Sequence, residues 1–403
     1  MRILHLPKWY PHRYDDQDGD FVARHVAASA AHGGPAGGPT RAAVVFAAVA
    51  RGPLTKLIEE DHDLSGPVPT WRYYYRAQLS GWGALDRVLK LGLWLACQRR
   101  GLRAARAHWD GAGPDIVHAH VMFRPAVLAA WWRWRYGWPY VLTENWTVFQ
   151  PGNVERLGRG RRWLAGWLVR RAAAWTPVSQ DLRRAFSALG GVNPRTVVIP
   201  NVVDTDLFRP PPAPAARRGL LSVAAFNEAA KNLSGVLRVV ARLRATHPDL
   251  SLRVAGYGPA EASLRQLARE LGLLTDGPDS PVVFLGKIPS AQVAVEMRRA
   301  VALVLFSNYE NLPCVLIEAQ ASGLPAVATA VNGVPELLPA DGAAGLLVPP
   351  RDEAALAAAL TTVLTAPAGR FDAAAMRARA LAEFSVPAVG RAFGAVYTRI
   401  LSR

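Results

Sequence analysis

The chain has 403 residues, 51% of them apolar, with 34 Gly, 31 Pro and a net charge of +16. The length calls for two domains, and the composition excludes a disordered or collagen-like chain. Two distant cysteines, Cys97 and Cys314, exclude a disulfide framework and a cysteine zinc site, and suit a reducing compartment. The apolar run in MRILHLPKWYP is too short for a signal peptide and no apolar stretch is long enough to cross a bilayer, so a cytoplasmic location is expected.

Residues 2–6 read as a first strand. A polar loop, 7–19, leads into a helix beginning at Phe21, with Asp18 or Asp20 as candidate caps and Gly33-Gly34 as its end. Gly19, in that loop, would let backbone approach a ligand. Residues 42–50 are a second strand, Trp71 to Arg76 have strand composition, and the rest of 51–82 reads as loop. A long helix follows over 83–109, with Arg99, Arg100, Arg103 and Arg106 at its negative end. PDIVHAH, 114–120, is a strand whose alternating His118 and His120 point the same way. No third ligand is apparent beside them, so no metal is expected. Trp131 to Tyr136 is an aromatic and basic helical run, PYVLTE over 139–144 a strand, and Arg156 to Trp175 a basic amphipathic helix suited to an anionic membrane surface. Ser179 is a candidate cap, and 197–200 reads as the last strand of this half.

The Pro-rich stretch 210–214 marks a boundary. Beyond it, strands are expected near 219–225, 250–255, 281–285, 301–306, 325–329 and 345–348, alternating with helices, which implies a parallel sheet. Lys231, at the first strand-to-helix turn, is placed to neutralise a diphosphate. The organising stretch is SNYENLPCVLIEAQASGLPAVATAVNGVP, 307–335. A strand runs out into a polar loop, and Leu312-Pro313 opens a helix whose N–H groups and dipole suit a phosphate. Glu310 on the loop and Glu318 within the helix suit hydroxyls.

The charge is uneven. Residues 1–200 hold 27 Lys and Arg against 14 Asp and Glu, and residues 201–403 hold 20 against 17. Arginines on solvated faces would explain the excess, as would an anionic partner of the first half.

The Glu310/Glu318 pair, with the Ser322-Gly323-Leu324-Pro325 turn and Asn332-Gly333-Val334-Pro335-Glu336, resembles the E-x7-E signature of the retaining GT-B glycosyltransferases of family 4. So do Trp9-Tyr10-Pro11 with Gly19-Asp20-Phe21, the P-D-x-V-H-x-H strand, Gly256-Tyr257-Gly258-Pro259 and the crossing segment 199–208. Two departures stand out. Asn145 replaces a common His after Thr143-Glu144, and Ala224-Ala225-Phe226 lacks a common Arg.

The resemblance implies an α/β GT-B fold of two doubly wound, Rossmann-like domains: an acceptor domain over 1–200, a nucleotide-sugar domain over 201–384, and a helix, 385–403, crossing back. It implies catalytic roles for His120, beside the reacting sugar, and Glu310, on sugar hydroxyls. It implies donor contacts at Gly19, Lys231, Lys287, Ile288, Asn311, Leu312, Pro313, Cys314 and Val315, with Glu318 on the ribose. No metal or cofactor is expected besides the nucleotide-diphosphate sugar that serves as donor. The acceptor would be a glycan, a lipid-linked sugar or a small molecule, in envelope or exopolysaccharide synthesis. The basic helix leaves two readings open, peripheral contact with an anionic membrane or a surface helix whose tryptophans face the core, and nucleic acid is not expected. The competing readings are a GT-B epimerase or phosphorylase and a basic nucleic-acid binder.

Overall fold

The structure, a computed structural model, describes residues 1–150, 153–211, 217–275, 280–367 and 369–402. Most of the expected Pro-rich boundary, 212–214, lies outside the described residues. The chain forms two compact units. One comprises Met1–Val178, Arg183–Val202 and Val386–Arg403; the other comprises Ser179–Leu182 and Val203–Ser385.

The first unit is built on a seven-stranded sheet in the order β3-β4-β2-β1-β5-β6-β7. The strands are β1 (Arg2–Pro7), β2 (Arg41–Val49), β3 (Ile58–Asp63), β4 (Thr70–Tyr75), β5 (Ile116–His120), β6 (Tyr140–Glu144) and β7 (Ala174–Pro177). All pairings are parallel except β3 with β4. The central strands are buried on both faces and so read as largely apolar runs, broken by His5 in β1 and by Thr143-Glu144 at the end of β6. Helices α1 (Asp20–His32), α2 (Gly83–His108), α3 (Arg124–Tyr136) and α4 (Arg159–Arg171) flank them. The C-terminal helix Val386–Leu401 packs against α1, and its Val389, Phe393 and Tyr397 join Ile3, Ile116 and Val141 in one core.

Three local expectations are corrected. β3, sequence IEEDHD, lies where a loop was expected; an antiparallel edge strand open to water needs no apolar run. No strand forms at 197–200. The backbone there bonds β7 through Val197 N to Trp175 O (3.0 Å) and Ile199 N to Pro177 O (3.1 Å), but Pro177 has no N–H to return. The cap of α1 is Gly19 in left-handed geometry, and Asp20 pairs with Arg24 instead.

The second unit holds a six-stranded parallel sheet in the order β10-β9-β8-β11-β12-β13. Its strands are β8 (Leu220–Val223), β9 (Leu252–Ala255), β10 (Val282–Gly286), β11 (Ala302–Leu305), β12 (Ala326–Thr329) and β13 (Gly345–Val348). Helices cover both faces, with Val236, Val240, Leu264, Leu356 and Leu360 in the core. In each unit the strand order reverses at one point: between β1 and β5, and between β8 and β11. The carboxyl ends of such a pair form the crevice where open α/β sheets bind ligands.

Candidate functional site

At the β8/β11 crevice, the loop after β8 carries Lys231 and the loop after β11 carries Glu310. They meet: Lys231 Nζ lies 2.5 Å from Glu310 Oε1, with the lysine side chain 21% and the glutamate 9% exposed. Ser307 Oγ donates to the same oxygen at 2.7 Å, which leaves Oε2 to a ligand. Asn332 Oδ1 accepts from Glu310 N (3.2 Å) and Asn308 N donates to Ala230 O (2.7 Å), so the two loops are tied by main chain as well. Lys231 ends a short helix, Glu228–Lys231. Glu228 then accepts from Leu233 N and Ser234 N, occupying the start of the next helix, Leu233–Leu243.

The helix expected from Leu312 runs over Cys314–Ala321, with Pro313 at its cap, a residue whose side chain makes no capping bond. Asn311 sits just before, 7% exposed. Its Oδ1 accepts from Ser179 Oγ at 2.9 Å, while its Nδ2 is buried without a partner. An unpaired buried amide N–H is costly, and beside a helix N-terminus it adds a donor for an anion. Glu318 is buried within this helix. Phe226, in the stretch that lacks the common Arg, is wholly buried, and Gly256 packs on it: a Cβ there would lie 1.8 Å from Ala224 O. Arg351 reaches the 307–311 loop instead, donating to Asn308 Oδ1 at 3.3 Å. Lys287 lies over the Tyr257 ring, 5.0 Å from its centroid, and with Ile288 follows β10, two strands from β8.

The β1/β5 crevice of the first unit has a different chemistry. His120, expected beside a sugar, is fully buried; its Nε2 lies 2.9 Å from His5 Nδ1, and its Nδ1 has no partner. His118 stacks on it at 4.1 Å and is held at both nitrogens, by Tyr397 OH and Thr143 Oγ1, each at 2.7 Å. His25 Nε2 bonds Pro200 O at 2.9 Å. Burial pushes His5 down to about 3 and His25 to about 4, and holds His118 and His120 well below the ordinary value, so all four are neutral at pH 7. The expectation that His118 and His120 lack a third companion is corrected. His5 joins them, with ligand-capable nitrogens all within 4.8 Å. His5 Nδ1 meets His120 Nε2, the remaining nitrogens of His5 and His118 meet hydroxyls, and no carboxylate belongs to the group.

Sequence reasoning missed the neighbouring groups. Glu144 ends β6 fully buried and accepts from Met122 N, Asn145 N and Trp146 N at 2.8–3.0 Å; burial outweighs these bonds and pushes it up to about 7. Lys8 follows β1 with its ammonium 3.2 Å from the Trp146 ring centroid, and burial brings it down to about 8. A polar residue inside an apolar strand (His5) and a carboxylate at a strand's end (Glu144) were the available signals. Asn145 bonds Asn201 Oδ1 at 2.9 Å. The space freed by the missing side chain of Gly19 is filled by the chain itself, since a Cβ would lie 2.3 Å from Trp9 C.

Each unit is a doubly wound α/β sheet with a polar switch-point crevice, as a GT-B fold requires. Comparison with known proteins agrees. Residues 204–380 match the family described as glycosyl transferases group 1, and residues 62–207 match glycosyltransferase family 4. Glycogen synthase of Mycobacterium tuberculosis is 31% identical over 320 residues, covering 74% of this chain and 72% of that protein. Among solved structures, sucrose-phosphate synthase from Thermosynechococcus elongatus shares the fold over 100% of both chains (TM-score 0.73, 21% identity). Anabaena HepE, solved with UDP, does so over 99% of this chain and 100% of its own (TM-score 0.72, 19% identity). The chain belongs to glycosyltransferase family 4 and is a glycosyltransferase of the hexosyl-transferring type. Among the described residues no helix is long and apolar enough to cross a membrane.

Proposed function

We propose that the protein transfers a hexosyl unit from a nucleotide-diphosphate sugar to a glycan or lipid-linked acceptor in polysaccharide synthesis, with retention at the anomeric carbon and no metal. The carrying observation is the Lys231–Glu310 pair at the β8/β11 crevice, next to the start of the helix Cys314–Ala321 and the unpartnered Asn311 Nδ2. Breaking the anomeric C–O bond leaves negative charge on a diphosphate. A preplaced cation and N–H dipoles stabilise that charge where it forms, which is the largest single contribution such a site makes.

The roles follow. Lys231 and the N–H groups of residues 312–315 hold the diphosphate, and Lys231 turns toward it as the donor arrives. Glu310 receives a sugar hydroxyl on Oε2 and Glu318 the ribose. Lys287 and Ile288 take the base: β10 is two strands from β8, about 10 Å at ordinary strand spacing, a distance suited to a nucleoside laid along the sheet edge. His120 serves the reacting sugar through its unpartnered Nδ1. The HepE structure with UDP supports a uridine donor. Exposed Trp163 (65%) among the arginines of α4 supports peripheral contact with anionic lipid.

Ligand-dependent melting tests the reading. UDP or GDP should raise the melting temperature, and Glu318→Ala should lose turnover and about tenfold in nucleotide affinity. Stabilisation by RNA alone, or an unaffected Glu318→Ala enzyme, would overturn it.

A further inference from the structure

Two cavities of the first unit meet. One, of about 870 Å³, lies at the carboxyl ends of β1, β2 and β5. Lys8, Arg51, Arg124 and Arg161 line it, and none of the four is in an ion pair among the described residues. Against them stand Asp18, engaged by His12 at 3.2 Å, and the buried Glu144 behind Lys8. The basin therefore carries an excess of positive charge, with the Lys8 ammonium resting on an aromatic face rather than a carboxylate.

The second cavity, of about 450 Å³, runs between α2 and α3, and its walls are almost wholly apolar: Leu91, Leu95, Val127, Leu128 and Trp131 among them. Trp94, Phe123 and Arg124 line both cavities, so the groove opens into the basin. The joint is conformationally constrained. Val121 (φ 66°) and Phe123 (φ 72°) both sit in left-handed backbone, which costs energy for a β-branched and an aromatic residue and recurs where a chain clamps a ligand. At its other side the groove reaches solvent past Leu91, Val127 and Trp131, which are 43%, 42% and 40% exposed. An apolar slot that opens into a basic basin has the two-part chemistry of an amphiphile site.

We infer that the basin and groove together bind a single-chain lipid phosphate as the glycosyl acceptor, with the phosphate among Lys8, Arg51 and Arg124 and the hydrocarbon chain between α2 and α3; an anionic phosphate oxygen forms the new bond to the anomeric carbon as that carbon's bond to the donor diphosphate breaks, and the nucleoside diphosphate leaves with the electron pair. The charge selects the head: a phosphate or diphosphate matches the excess of cations, and a neutral glycan does not. The shape selects the tail, since one chain fits where a bilayer face would need a convex surface. This names the acceptor class for the transferase proposed above and rests on that proposal.

The test uses the full-length protein and tryptophan fluorescence, since Trp94 and Trp131 face the groove. Dodecyl phosphate, below its micellar concentration, should quench saturably and bind at least ~100-fold more tightly than butyl phosphate, because each buried methylene adds to affinity. Inorganic phosphate and dodecanol should each compete poorly. Val127→Trp, which fills the groove from the surface of α3, should weaken dodecyl phosphate at least tenfold while leaving the UDP-induced melting shift in place. Arg124→Gln should narrow the preference for dodecyl phosphate over dodecanol. Equal affinity of the butyl and dodecyl esters, unchanged binding by Val127→Trp, or binding to anionic vesicles without binding of the monomeric lipid would each overturn the inference. If UDP still shifts melting in those cases, the acceptor assignment alone has failed. If UDP produces no shift in the wild type, the transferase reading fails and takes this assignment with it.

Discussion

The two switch-point crevices occupy the same place in two sheets of similar topology, yet they are chemically opposite. At β8/β11 the polar groups are a lysine and a glutamate, paired, partly open to water and aimed by loops. At β1/β5 they are four neutral histidines, fully buried and bonded to one another, to hydroxyls and, for His25, to the Pro200 carbonyl, with a cationic basin above them. A charge kept near solvent can be exchanged for a ligand's charge at small desolvation cost. A buried neutral network cannot exchange charge, but it can hold strand ends in fixed register. The second crevice is built to receive charge and the first to position what lies over it.

The largest effect that would break this contrast is on catalysis. Lys231→Met should lower kcat/KM for the nucleotide sugar about 10²- to 10³-fold, the usual cost of removing one charge-stabilising donor, with Lys231→Arg recovering part of it. Loss in KM alone would show that the lysine merely anchors the donor.

Acid should distinguish the two crevices next. The histidines have folded values below the ordinary 6.5, so the unfolded chain binds protons first as pH falls. Stability is full above about pH 6.5 and declines through the window down to pH 3–4. Glu144 opposes this: its value is raised to about 7, so it favours the folded state below pH 4.5 and loses that contribution as pH rises to 7. Four groups outweigh one, and the melting temperature should drop by several degrees between pH 6.5 and 5. His25→Gln, which can still donate to Pro200 O, should flatten the decline. An acid profile identical to wild type would count against the buried histidines as its source.

Glycine substitutions come third. Gly19→Ala and Gly256→Ala meet main-chain atoms at 2.3 and 1.8 Å and have φ of 67° and 146°. Each should destabilise by roughly 2–4 kcal/mol in urea unfolding. If Gly19 only lets the loop pack on Trp9, the UDP melting shift of Gly19→Ala will equal that of wild type. The smallest effect belongs to the surface. Glu353 joins Arg238 and Arg242 at 2.7–2.9 Å, with the arginines about half exposed, so Glu353→Gln should cost no more than about 1 kcal/mol and leave turnover unchanged.

How far the site could be read from sequence differs between the crevices for the same reason. Lys231, Glu310, Pro313 and Glu318 are each written into a strand–turn–helix unit, where local patterning shows what the turn presents. His5 and Glu144 are not: one lies inside an apolar strand and the other closes one, and neither carries a local sign of its partner. The cap of α1 was misplaced because a left-handed Gly19 fixed by Trp9 does the work ordinarily done by an aspartate. The acidic β3 was missed because an edge strand is set by its neighbour and not by its own composition.

The alternation of apolar strands and amphipathic helices, and the residues carried by each turn, were determined by the sequence itself, since both follow from short-range periodicity and steric preference. Which turns meet was decided by tertiary structure alone. Lys231 and Glu310 are 79 positions apart, and His5 and His120 are 115 apart. They come together because β8 lies beside β11 and β1 beside β5. That strand order follows from packing two apolar faces under helices over the whole unit, which no local window of sequence contains.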